Sequence, residues 1–299
     1  MISLWIPITI AAAFLQNTRS ALQKRVKADL GTTGATFVRF GFGLPFALLY
    51  LLLLHRGLGL TLPEPNATFG LYVTLAGLSQ IVATALLVGL FSARSFAVAT
   101  TYSKTETVQT AVFGLIVLGE SVSLGAGIGI LVSLAGVLAL SRGALALGGA
   151  ADRKLRAVAM GLASGAFFGL SAVGYRAASL SLGGEGVMIQ AGFTLACATL
   201  LQTLVMAGYM LAREPAALRA SIRAWRTAVW VGLSGAAASA CWFTAMTLQK
   251  AAYVRALGQI ELLFTIAASV LLFRERLRPV EALGILLITA GILCLLLTG

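Results

Sequence analysis

Residues 117–138 read VLGESVSLGAGIGILVSLAGVL, and residues 272–293 read LFRERLRPVEALGILLITAGIL. The second stretch follows the first by 155 residues. Glu120 recurs as Glu275, Gly129 as Gly284, and Ala135-Gly136 as Ala290-Gly291. Upstream, Glu106 recurs as Glu261 at the same offset. Both copies lie in apolar segments of helix length. A repeat of this period in a membrane chain implies two related halves with a transport site between them.

Composition places the chain in a bilayer. It is 59% hydrophobic and 11% charged, with mean hydropathy +0.95. Soluble domains carry about 25% charged residues. The net charge of +12 is no nucleic-acid footprint, because the cations fall between apolar runs and no basic patch interleaves with aromatics. The first apolar run lacks a positive leader and a small-residue cleavage site, so it reads as an uncleaved span. Cys197, Cys241 and Cys294 all fall in apolar runs and read as free thiols.

A span needs roughly 20 apolar residues. Ten segments qualify: 3–25, 33–54, 68–91, 96–118, 123–141, 157–178, 186–210, 228–248, 252–273 and 279–297. The expected fold is therefore an all-α membrane protein of ten transmembrane helices. Its halves divide at 1–148 and 149–299, in a Gly/Ala-rich connection. An odd number of spans per half makes the second half enter the membrane inverted, about a two-fold axis in its plane.

Lys and Arg set the orientation. Lys24, Arg25, Lys27, Arg94, Arg142, Arg153, Lys154, Arg156, Arg213, Arg219, Arg223, Arg226, Arg274, Arg276 and Arg278 lie in loops on one side. Only Arg56, Arg176 and Lys250 lie on the other. The positive-inside rule makes the crowded side cytoplasmic and places both termini outside it.

The paired segments resemble the EamA family of the drug/metabolite transporter superfamily. The likeness rests on Gly119-Glu120 … Gly129 … Ala135-Gly136 and on Arg274-Glu275 … Gly284 … Ala290-Gly291. Lys24-Arg25 followed by Arg39-Phe40 looks similar as well, with Tyr175-Arg176 and Gln190 as the second-half counterpart. The resemblance implies ten helices, alternating access and export of small metabolites, often amino acids. The family keeps both termini cytoplasmic, opposite to the charge count.

Glu106 and Glu261 lie about ten and nine residues into continuous spans, near mid-bilayer at 1.5 Å per residue. Each buried charge there costs about 2.5–3.5 kcal/mol. Lipid exposure is excluded, so these groups and Lys104 face the bundle interior. Either they form an ion-pair network that locks helices together, or they line a central cavity. Lys104 and Glu106, two apart, point to different faces, and each needs a partner from another helix. Tyr102, Glu106 and Gln109 share one face. Arg255 and Gln259 share a face one turn apart. Gln16, Arg19 and Gln23 align on the first span, with Asn17 beside them. Arg19 and Arg39 either snorkel to the interface or meet a carboxylate. Trp242 is packing or a cavity wall. Tyr175 and Tyr253 sit near span ends and read as interfacial anchors; Glu120 and Glu275 read as solvated turn residues or as charges at a helix N-terminus.

Glu106, Glu261, Lys104, Arg39, Gln16, Asn17, Tyr102, Gln109, Gln259 and Trp242 are thus the candidate substrate-binding residues. No metal cluster, P-loop or catalytic constellation is legible, so no enzyme activity and no cofactor is expected. The reading is a monomeric exporter of a small metabolite, first of all an amino acid, in the cell (inner) membrane. Its partners are the substrate and the lipid bilayer, with no nucleic acid. The alternatives are a proton-coupled exporter of cationic drugs, or a channel or receptor.

Overall fold

The computed structural model describes residues 3–90, 103–145, 151–183, 186–264 and 279–298. The protein is an all-α membrane protein whose helices form two inverted five-span repeats. Among the described residues, five helical stretches are long and apolar enough to cross a bilayer, and three apolar helices are shorter. Exposed Leu side chains such as Leu48, Leu49, Leu204 and Leu211 cover the outer surface, as lipid contact requires.

Helix α1 (Trp5–Gly41) is two arms rather than one rod. Gly31, at φ 67°, breaks it in the left-handed region that glycine enters freely. The chain reverses there, so Gln23 Nε2 donates to the Ala35 carbonyl at 2.7 Å. Pro45 starts α2 (Leu44–Leu52), which runs into a π turn at Leu53–Gly57. Then come α3 (Ala67–Leu90), α4 (Glu106–Leu118) and α5 (Leu124–Leu145). The second half holds α6 (Ala151–Ser181), α7 (Val187–Arg213), α8 (Pro215–Arg223), α9 (Trp225–Leu248), α10 (Ala251–Leu257) and α11 (Pro279–Thr298). The expected 211–227 loop is in part a short amphipathic helix, α8, with Pro215 in its first turn and Leu218 buried.

Contacts follow the inversion. The first span packs on α9, and its counterpart α6 packs on α3, the counterpart of α9. At the α5–α11 crossing a Cβ on Gly129 would lie 2.6 Å from the Gly291 carbonyl. One on Gly136 would lie 2.8 Å from the Gly284 carbonyl. Gly129 and Gly284 are repeat mates, as are Gly136 and Gly291, so exchanging the helices maps the crossing onto itself. Ser133 Oγ donates to the Ile288 carbonyl at 3.4 Å, again 155 residues away. The index rises along one helix as it falls along the other: the two are antiparallel. These glycines let the backbones touch.

Three expectations change. Tyr175 is no interfacial anchor: it is 1% exposed, and its hydroxyl donates to Gln80 Oε1 at 3.1 Å. Tyr253 is also buried, and its oxygen accepts from the Ser123 N–H at 3.2 Å. Glu120 is no solvated turn residue, since Arg176 Nε donates to it at 2.8 Å. The same guanidinium caps the end of α9, with Nη1 donating to the Met246 and Gln249 carbonyls at 2.5 and 2.8 Å. Lys27 does likewise for α3, donating to Val88 and Gly89 at 2.5 and 3.1 Å. Cations on the terminal carbonyls of matched helices satisfy acceptors that the helix leaves open. Glu275 lies outside the described residues.

Candidate functional site

The fourth and ninth spans are both interrupted where their carboxylates stand. Lys104-Thr105 forms a turn, and α4 starts at Glu106. Helix α10 ends at Leu257, Gly258-Gln259 forms a turn, and helix resumes at 260–264. Lys104 and Gln259 are repeat mates, so the two interruptions correspond. The backbone tightens rather than unwinds: Thr107 N reaches the Lys104 carbonyl at 3.5 Å, and Glu261 N the Gly258 carbonyl at 3.2 Å. A Cβ on Gly258 would strike the Trp242 ring at 2.5 Å, so glycine there makes room for the indole. This breaks the helices expected over 96–118 and 252–273, of which residues 96–102 and 265–273 lie outside the described ones. It also moves Glu106 into the first turn of a helix, where the dipole favours an anion.

Two crossed ion pairs join these elements. Lys104 Nζ contacts Glu261 Oε1. Arg255 Nε lies 3.0 Å from Glu106 Oε1. The second contact is off the N–H axis, so it is a charge contact without a formed hydrogen bond. Glu261 Oε2 also accepts from Gln16 Nε2 at 2.8 Å. Gln16 Oε1 in turn accepts from Trp242 Nε1 at 3.0 Å. The Arg255 guanidinium stands 4.6 Å above the Trp242 ring. Gln259 Nε2 donates to Thr107 Oγ1 at 2.8 Å, leaving its buried oxygen without a partner.

Seven of these side chains, with Gly258 and Gln259, line a cleft with about 270 Å³ of non-atom space. Its gaps admit water rather than a metabolite, so a substrate needs the helices to part. Of the expected residues, Gln16, Lys104, Glu106, Trp242, Gln259 and Glu261 come together here. Asn17 is half-buried beside Gln16 but does not line the cleft. Gln109 turns away, its Nε2 3.4 Å from the Leu162 carbonyl on α6. Tyr102 lies outside the described residues. Arg39 sits in a second cavity, where Nη1 donates to Thr84 Oγ1 at 2.7 Å. Arg19 and Arg39 are both buried, so neither snorkels. Sequence reasoning left Arg255 outside the site, although a cation in an apolar run was its signal. Among the described residues, no three His, Cys, Asp or Glu side chains group to hold a metal.

The profile of the EamA-like transporter family matches residues 3–142 and 155–297, once on each repeat. The chain belongs to the EamA-like transporter family. It is therefore a multi-pass membrane transporter of small molecules. No curated protein matches it. A solved crystal structure of a protein superposes with TM-score 0.76, covering 100% of this EamA-like chain and 98% of its own at 17% identity. At that identity the likeness concerns the fold alone.

Proposed function

We propose that the protein is a secondary transporter that exports a small polar metabolite by alternating access between its repeats. Amino acids are the first class to test, because their carboxylate suits the buried cations. The crossed pairs Lys104–Glu261 and Arg255–Glu106 carry this reading. Each carboxylate is neutralised by a cation of the other half, at the interruption of a helix. Movement of one half against the other must exchange these contacts, and interrupted helices at a repeat interface are where inverted-repeat transporters bind.

In this proposal the halves meet near residues 148–149, the crowded Lys/Arg side faces the cytoplasm, and the protein acts as a monomer in the cell (inner) membrane. Export of cationic drugs would call for a carboxylate without a cation beside it. Both intramembrane glutamates have such a partner, which speaks for the metabolite reading. The test is counterflow in proteoliposomes with a panel of amino acids and other metabolites. Saturable, trans-stimulated flux supports the carrier; unsaturated ion conductance without counterflow makes the protein a channel instead.

A further inference from the structure

The cations of the spans include Arg19, Arg39, Lys104 and Arg255. Glu106 and Glu261 balance only the last two. Arg19 and Arg39 are 4% and 6% exposed, and neither meets a carboxylate among the described residues. Arg39 has Thr84 and the face of Phe40, whose ring centre is 5.1 Å away. Arg19 has Ser20 Oγ at 3.3 Å, and its buried Nε has no partner. Both stems pass Gly235, at 3.5 and 3.7 Å from where its Cβ would stand. A buried guanidinium without a counter-charge is costly, and no carboxylate among the described residues offsets it.

Arg39 opens onto the second cavity, whose gaps, like those of the first cleft, admit only water until the helices part. Its other polar walls are Gln80, Gln202, Thr199 and Ser239, with no Asp or Glu. Gln202 Nε2 and the Tyr175 hydroxyl both donate to Gln80 Oε1, at 2.8 and 3.1 Å. That fixes the Gln80 amide and leaves its NH2 as a donor for the cavity. A buried cation, an oriented amide donor and two hydroxyls form a site for an oxyanion.

We propose that this cavity binds the acid group of a small organic anion through Arg39, with Arg19 behind it, and that the transporter prefers substrates of net negative charge to zwitterions. This rests on the transporter reading and narrows its substrate from amino acids at large to acids of net negative charge. A zwitterion brings an ammonium that needs a carboxylate, and both intramembrane carboxylates are already held by Lys104 and Arg255.

The test is a thermal-shift titration of the purified full chain with succinate, glycerol 3-phosphate, alanine and choline. Succinate or glycerol 3-phosphate raises the melting temperature, and the stronger of the two tells carboxylate from phosphate. Alanine and choline do not. Arg39→Gln folds at least as stably as the parent, because it removes an unpaired charge. It loses about tenfold or more in anion affinity, the scale of one charge-assisted contact, and Arg39→Lys keeps part of it. Stabilisation by alanine or choline but not the anions overturns the proposal while leaving transport intact. So does an unchanged anion shift in Arg39→Gln, a misfolded Arg39→Gln, or no anion shift at all. Absence of counterflow for every solute would sink the transporter reading itself.

Discussion

Arg255 Nε lies 3.0 Å from Glu106 Oε1, while Glu261, six residues after Arg255, is held by Lys104, two residues before Glu106. The repeat matches the carboxylates but not their cations. The symmetry of charge is made in space, by each half neutralising the acid of the other.

Glu106→Gln is expected to leave Arg255 buried without a counter-charge. That costs roughly 3–5 kcal/mol and lowers both the yield and the melting temperature. The double variant Glu106→Gln/Arg255→Gln should recover most of the stability, because neither charge is then stranded, yet remain poor in flux. Melting curves and proteoliposome uptake on the same preparations check this. A well-folded Glu106→Gln with wild-type flux across the pH range removes Glu106 from the site.

The helix crossing makes a sharper prediction. A Cβ on Gly129 meets the Gly291 carbonyl at 2.6 Å and the Leu295 N at 2.9 Å, both backbone atoms that cannot swing aside. Gly129→Ala should cost about 1–3 kcal/mol through overpacking. Gly127, with nothing within 4 Å of its Cβ position, is the control, and Gly127→Ala should be neutral or slightly stabilising. Equal melting temperatures for the two variants would contradict the crossing.

Tyr175→Phe should destabilise by about 0.5–1.5 kcal/mol, since it removes one hydrogen bond from each of Gln80 and Gln202, which still hold each other. An interfacial tyrosine would tolerate the change almost fully. Chemical unfolding of the two proteins in the same detergent separates these outcomes.

The count of cations between spans predicts that both termini face away from the cytoplasm. A C-terminal green fluorescent fusion should then be dark, and a C-terminal alkaline phosphatase fusion active. A bright fluorescent fusion would mean that the loop charges do not set the topology of this chain.

The fold was legible because its signals are local and repeated. Apolar runs of span length show in any window, and an offset of 155 residues carries Glu106 onto Glu261 and Gly129 onto Gly284. Gly129 and Gly136 show as small residues in an apolar run, and lipid offers no other reason to keep a helix side bare. Burial of Glu106, Glu261 and Lys104 also followed from charge and hydropathy, because the cost of a bare ion in hydrocarbon does not depend on the neighbour that relieves it.

Which neighbour relieves it was a matter for the tertiary structure. Arg255 for Glu106 and Lys104 for Glu261 are choices between helices more than a hundred residues apart, and nothing near either residue encodes them. The interruptions at Lys104-Thr105 and Gly258-Gln259 were hidden for the same reason, since Gly258 yields to the ring of Trp242 on another helix. Hydropathy and the 155-residue offset alone specified an inverted pair of five-helix repeats with charges buried between them. Only packing decided that two glutamates are spent on two cations, and that Arg19 and Arg39 meet no carboxylate among the described residues: local patterns fix what must be buried, while pairing is set by distances across the bundle.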